Sequence, residues 1–235
     1  MRVLGALLLC AVFAHQSYGR TPAGMIGVGL EDHQLYTRSK ENGKWKVASG
    51  DTCCVIAVAL LPDGSLVGVG EDNELYVKKK PSVGDWEGPV PGGCCVKDIA
   101  VMADGTIIGV DLKNKLVYRA DLEGEWSLPE KPCCIFAVDA LPDGRILAVA
   151  RNGKLRIREG IEGRWKFYRT IGTRVNDIST GPDGAIYGVS RDDCGVHKLA
   201  GNSRWQDELA GSECMLSITS ADQLAPPNIV KEEEE

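Results

Sequence analysis

Histidine is scarce in this chain: three occur among 235 residues, at His15, His33 and His197. His15 falls in an N-terminal apolar stretch, and the other two lie far apart, neither beside a recognisable nucleophile, so no histidine-based catalytic arrangement is present. No Cys-x-x-Cys occurs, which removes the commonest redox motif. There is no Asn-x-Ser/Thr sequon, so N-glycosylation is not expected. Past residue 19 no run is long and apolar enough for a membrane-spanning helix. Basic residues are outnumbered by acidic ones, giving a formal net charge of -6 and a pI near 5.2, which argues against nucleic acid because phosphate binding needs clustered Lys and Arg. The acidic residues fall mostly at turns and loops, where solvated roles are expected. These absences exclude nucleic acid as partner and membrane insertion, and they point away from an enzyme.

The chain starts with Met1 and Arg2, followed by an apolar run from Val3 to Ala14 and small or polar residues up to Gly19. That order predicts a secretory signal peptide over 1–19, cut after Gly19 or Ala14, with Gly19 preferred. The expected mature protein is secreted and extracellular. Its length suits one closed repeat domain over 20–224. Residues 225–235, with two prolines and a run of four glutamates, are expected to be a disordered acidic tail.

The strongest positive signal is a repeat. Five tryptophans, Trp45, Trp86, Trp126, Trp165 and Trp205, are spaced 41, 40, 39 and 40 residues apart, and there are no others. A period near 40 with short strand-like runs suggests a β-propeller or a stacked array. Numbered by their tryptophans, units 1 to 5 share four β-rich runs, A to D. Asp-Gly turns recur between A and B at Asp63-Gly64, Asp104-Gly105, Asp143-Gly144 and Asp183-Gly184. Strand B alternates small and branched residues, as in Val67-Gly68-Val69-Gly70, which permits close approach of another element. Strand C recurs as Leu35-Tyr36, Leu75-Tyr76, Leu116-Val117, Leu155-Arg156 and Val196-His197, and a Gly-containing loop precedes each tryptophan.

Unit 1 starts at its strand B, near Met25, with no strand A before it, whereas a surplus A-like run, Cys214 to Ile218, follows unit 5. A strand from the C-terminus can therefore complete the N-terminal sheet and remove exposed sheet edges. The expected fold is all-β: a five-bladed β-propeller of four-stranded antiparallel blades, closed by that strand.

Without Cys10 of the leader, eight cysteines remain, and an even number in a secreted chain points to disulfides. Cys53-Cys54, Cys94-Cys95 and Cys133-Cys134 are adjacent pairs that begin strand A, whereas Cys194 and Cys214 stand alone. The pairs admit vicinal bridges, bridges between blades, metal ligation or redox chemistry. Adjacent strand residues face opposite ways, which disfavours metal ligation. Cys194, in a B–C loop, and Cys214, opening the last strand, share a face, and a bridge between them is expected. The A-strand starts and B–C loops should lie together at one mouth of the ring.

Each tryptophan, at the start of strand D, can either pack between adjacent blades or line a groove and stack on a sugar ring. Trp offers flat area at little entropic cost. Trp45, Trp86, Trp126, Trp165 and Trp205 are thus candidates for both duties. No cofactor is expected. The acidic loops at Glu31-Asp32 and Asp192-Asp193 offer at most weak calcium binding, since they lack a repeated ligand pattern.

The order Ile-Ala-Val, Asp-Gly, Gly-Val, polar loop, Leu-Tyr and Gly-x-Trp resembles tectonin-type repeats, as in fish-egg lectins and horseshoe-crab lectins of the tachylectin type. Residues 97–126 carry the resemblance well, 55–86 and 135–165 nearly as well, and it extends over roughly 25–220. It implies a secreted β-propeller lectin binding glycans of microbial surfaces, eggs or extracellular material, with up to five similar weak sites. The usual tectonin repeat is shorter, often in six blades, and lacks the paired cysteines. The disulfide-rich ring, acidic charge and glutamate tail suit a second possibility, a non-enzymatic structural or protein-interaction propeller of an extracellular matrix.

Overall fold

In a computed structural model, residues 24–50, 52–150, 152–170, 175–201, 204–206, 209 and 213–221 are described. The expected leader over 1–19 and tail over 225–235 lie outside them. Unit 1 contributes β1 (Met25–Gly29), β2 (Leu35–Arg38) and β3 (Lys46–Val47); unit 2, β4 (Val55–Leu60), β5 (Leu66–Gly70) and β6 (Leu75–Lys78). Unit 3 forms β7 (Val96–Val101), β8 (Ile107–Asp111) and β9 (Leu116–Arg119). Unit 4 forms β10 (Ile135–Ala140), β11 (Ile146–Ala150), β12 (Lys154–Arg158) and β13 (Lys166–Thr170). Unit 5 forms β14 (Val175–Thr180), β15 (Ile186–Ser190) and β16 (Val196–Lys198), and β17 (Met215–Ser220) comes last.

These strands make five small antiparallel sheets of three or four strands, consistent with a β-propeller. β17 does not join unit 5. It pairs antiparallel with β1, from Met25 opposite Ser220 to Gly29 opposite Met215, giving the order β17-β1-β2-β3. The Asp-Gly turns form where the sequence predicts them: Gly64, Gly105, Gly144 and Gly184 have φ of 91°, 89°, 83° and 78°. The preceding aspartate accepts a hydrogen bond from the N–H two residues on, as Asp63 does from Ser65 and Asp104 from Thr106.

The expectation of four strands in every sheet needs correcting. Among the described residues only the unit 1 and unit 4 sheets have four; elsewhere the fourth strand shrinks to isolated bridges, Val77–Glu87 in unit 2, Tyr118–Ser127 and Lys115–Cys133 in unit 3, and Leu199–Trp205 in unit 5. Pro89 and Pro91 follow the bridge in unit 2, and Pro129 and Pro132 follow Ser127 in unit 3. Proline has no N–H to extend a ladder.

Five hydrophobic clusters lie between consecutive sheets. Val69 and Leu75 of unit 2 meet Ile99 and Ile107 of unit 3, and Val110 and Leu116 of unit 3 meet Ile135 and Ile146 of unit 4. Further clusters join units 4 and 5 and units 1 and 2. The remaining one sets Val189 and Val196 of unit 5 against Met25, Trp45, Met215 and Ile218 of the β17–β1 sheet. Each fully buried aliphatic side chain contributes about 1.5–3 kcal/mol relative to exposure, so the sheets are held mainly by what lies between them.

Three buried aspartates stitch the first strands together. Asp98 of β7 accepts from Val138 N of β10, Asp139 of β10 from Thr180 N of β14, and Asp177 of β14 from Ile218 N of β17. These are not the solvated turn carboxylates that the acidic composition suggests: burial pushes Asp98 well above the usual range, Asp139 up to about 7 and Asp177 up to about 6. Their sign in the sequence is an aspartate inside an apolar strand, as in Val-Lys-Asp-Ile-Ala-Val.

Candidate functional site

The five B–C loops differ in charge but share one backbone turn. The residue two before the strand-C leucine or valine has positive φ in every unit: His33 52°, Asn73 65°, Asn114 63°, Gly153 70° and Cys194 53°. The side chain just ahead of it usually caps the turn: Asp32, Asp72, Asn152 and Asp193 accept the N–H two residues on. In unit 3 Asp111 performs this task for Lys113 and Lys115. A common frame thus carries different side chains.

The paired cysteines join these loops. Cys54 N donates to His33 O of the unit 1 loop, while Cys54 O accepts from Glu71 N of unit 2; Cys95 likewise links Asn73 O with Leu112 N. The strand-A starts and B–C loops therefore share one face. Cys53 and Cys54, Cys94 and Cys95, and Cys133 and Cys134 lie at disulfide distance within each adjacent pair, and Cys194 lies at that distance from Cys214. In the acidic loops named for calcium, Asp32 and Asp193 hold local hydrogen bonds, and among the described residues no group of three or more His, Cys, Asp or Glu is placed to hold a metal ion.

On this frame, units 1, 2 and 5 carry a further pair. Tyr36 Oη donates to Asp32 and Tyr76 Oη to Asp72, each at 2.7 Å, and His197 Nε2 lies 3.1 Å from Asp193. Val117 and Arg156 take the equivalent place in units 3 and 4. A glycine ends strand B in units 1 and 2 for a steric reason: a Cβ on Gly29 would collide with Asp32 Oδ1, and one on Gly70 would meet Asp72 Oδ1 at 2.5 Å. The hydrogen bond from Tyr76 holds the Asp72 carboxyl below its usual range and Tyr76 above its own, and the Asp32 bond pushes Tyr36 up to about 12. For Asp193, burial pushes upward, but Ser190 and His197 outweigh it and leave the carboxyl lowered. The lowered Asp72 and Asp193 carboxyls are ionised at neutral pH and retain lone pairs for donors from outside.

In unit 2 this pair opens into a cavity of about 380 Å³ lined by Cys53, Cys54, Gly70, Asp72, Tyr76 and Trp86. In unit 5 a smaller one, about 90 Å³, holds Ser190, Asp193, His197 and Trp205. A third cavity, about 350 Å³, combines the repeat positions Val149, Ala150 and Val175 with the unit-specific Phe136, Asn152 and Arg191.

The candidate tryptophans all lie between sheets, each packed in the cluster its own unit shares with the unit before it. The ring edge covers a small strand-B residue: Cη2 would stand 3.1 Å from a Cβ on Gly27, 2.6 Å from one on Gly68, 3.3 Å from one on Gly109 and 2.5 Å from one on Gly188. Trp45 is buried, whereas Trp86, Trp126, Trp165 and Trp205 are half-buried. Trp86 and Trp205 reach cavities as well. The structure does not bring the five rings to one site.

Sequence reasoning missed a second periodic residue, the buried cation three residues after the strand-C leucine at Arg38, Lys78, Arg119 and Arg158; unit 5 has Leu199 at this place. Arg38, Arg119 and Arg158 lie 4.5, 5.4 and 5.6 Å from the Trp45, Trp126 and Trp165 rings. Arg119 donates to the carbonyls of Asp121, Leu122 and Pro91, and Arg158 to those of Gly160, Ile161 and Glu130. Their repeat spacing matches that of the tryptophans, so the signal is present in the sequence.

No family model matches the chain, and no curated protein matches it. Among solved structures, YCF48 bound to D1 peptide is similar at 13% identity and a TM-score of 0.43, covering 80% of this chain and 64% of that one. The present chain thus spans a little under two thirds of that protein. A protein of unknown function from Bacteroides caccae is similar at 12% identity and a TM-score of 0.48, covering 81% of this chain and 73% of that one. These likenesses concern the fold alone, and no ligand or activity transfers with them.

Proposed function

We propose that this chain is a secreted, multivalent carbohydrate-binding protein of the tectonin and tachylectin kind, built as a five-bladed propeller that β17 closes into a ring. The five inter-sheet clusters and the pairing of β17 with β1 support the ring. The observation that carries the lectin reading is the unit 2 cavity. It combines an ionised Asp72, an oriented Tyr76 hydroxyl, the edge of Trp86 and the apolar sulfur surface of Cys53 and Cys54. Asp72 and Tyr76 suit the hydroxyls of a sugar, and the indole and sulfur surface suit its C–H faces. Units 1, 2 and 5 carry the Asp-Tyr or Asp-His pair, so sites of this type number three rather than five. Simultaneous engagement then raises avidity without new contacts.

A glycan array probed with the oxidised protein from residue 20 onward tests this. Binding that falls at least tenfold in Asp72→Asn and Tyr76→Phe, with the fold intact by circular dichroism, is expected. Absence of binding to any glycan would defeat the reading, and calcium-dependent association with matrix that no sugar displaces would favour the matrix alternative.

A further inference from the structure

The second residue of each first strand is half-buried in all five units, yet its identity never repeats: Ile56, Lys97, Phe136, Asn176 and Leu216. At this equivalent position the repeat gives way to an asymmetric constellation. Lys97 Nζ lies 4.6 Å from the centre of the Phe136 ring and Arg191 Cζ lies 5.7 Å from it. Two cations from different units therefore converge on one aromatic ring in a chain whose net charge is -6.

Neutral amides hold both cations. Lys97 Nζ donates to Asn114 Oδ1, and Arg191 Nε donates to Asn176 Oδ1 at 2.7 Å. Among the described residues neither forms an ion pair with a carboxylate. Burial lowers the Lys97 pKa, and the Arg191 charge lowers it further against the pull of Asp98 and Asp111. With Nε committed to Asn176, the Arg191 Nη groups remain as a fork for an oxyanion. The adjoining cavity of about 350 Å³ is lined by Phe136, Asn152 and Arg191 and by the nearly buried Val149, Ala150 and Val175, with Lys97 outside this lining on Phe136. Asp192 and Asp193 line the neighbouring cavity with His197 and Trp205.

We infer that Phe136, Lys97 and Arg191 form a second binding site that takes an acidic sugar, its carboxylate or sulfate held between the two cations and its ring on Phe136. An aromatic face beside an oxyanion fork suits a charged group carried on a carbon skeleton better than a free inorganic ion. This inference rests on the carbohydrate-binding reading, although its residues are separate from the unit 2 cavity.

Titration calorimetry with glucuronic acid, glucose 6-sulfate, glucose and inorganic sulfate tests it, on the oxidised protein and on Lys97→Met/Arg191→Met, Phe136→Leu and Tyr76→Phe, each checked for folding. The acidic sugars are expected to bind at least tenfold more tightly than glucose or inorganic sulfate and to weaken as salt rises. The double variant should lose at least tenfold, and Phe136→Leu should lose several-fold. Equal affinity for inorganic sulfate and glucose 6-sulfate overturns the sugar assignment. Undiminished acidic-sugar binding in both the double variant and Phe136→Leu overturns the site while leaving the unit 2 reading standing. Conversely, a protein that binds acidic sugars through Lys97 and Arg191 but gives no Tyr76-dependent glycan binding supports this site and removes the unit 2 one.

Discussion

Asp177 on β14 accepts a hydrogen bond at 2.7 Å from the backbone N–H of Ile218 on β17, and both residues are buried. This bond fastens the strand that completes the N-terminal sheet to the sheet of unit 5. Removing the acceptor strands a buried N–H, which costs about 1–3 kcal/mol. Asp177→Ala should lower stability by that amount in urea unfolding, and Asp177→Asn, which keeps a carbonyl acceptor, should lose less. Equal losses for the two would show that the hydrogen bond is not what matters there.

The same aspartates give stability an unusual pH dependence. Burial raises Asp139 to about 7 and Asp177 to about 6, above the ordinary value of about 4 for an unfolded aspartate. Between those values the folded chain binds more protons than the unfolded one, so stability falls as pH rises through that window. The turn and loop carboxylates with lowered values, such as Asp63 and Asp72, act the other way but only below about pH 4. The unfolding midpoint should therefore be higher at pH 5 than at pH 8. Asp139→Asn, which cannot ionise, should flatten that slope, and an unchanged slope would contradict the assignment.

Much of this architecture is legible in the sequence because it is written five times. The tryptophan period, the Asp-Gly turns and the surplus run at Met215 each depend on local spacing, which a single chain displays. The Asp32–Tyr36 and Asp72–Tyr76 pairs are also local, but averaging over the units hides them, since units 3 and 4 lack them. Asp98, Asp139 and Asp177 are visible as residues, yet their hydrogen bonds reach a strand about 40 residues away. The meeting of Lys97, Arg191 and Phe136 is not legible at all. It depends on how three units are set around one face, and no spacing in the chain announces it.

The tryptophan and strand-B glycine pairs should respond unequally to an added methyl group. A Cβ at Gly68 would stand 2.6 Å from Trp86 Cη2 and one at Gly188 would stand 2.5 Å from Trp205 Cη2, whereas at Gly109 the distance to Trp126 is 3.3 Å. Unit 4 already carries Ala148 at this place, buried beside Trp165. Gly68→Ala and Gly188→Ala should each cost about 1–3 kcal/mol through overpacking, and Gly109→Ala less. Chemical denaturation of the three variants compares them directly. Equal costs would show that the indole edge does not set the size limit on strand B.

The Asp-Tyr pairs can be read through the tyrosine itself. The hydrogen bond to Asp32 is the largest cause that pushes Tyr36 up to about 12, with burial and the Asp32 charge adding to it. In Asp32→Asn the acceptor weakens and the charge is gone, so Tyr36 should titrate closer to the ordinary value of about 10. Phenolate absorbance would report the change. Gly70→Ala should act on the equivalent pair sterically, because its Cβ would meet Asp72 Oδ1 at 2.5 Å and the Tyr76 ring at 2.7 Å. Displacing the pair lowers the Tyr76 pKa without touching either partner chemically. If Tyr76 titrates unchanged in Gly70→Ala, the glycine is not what seats the pair, and its place at the end of strand B must serve the backbone alone.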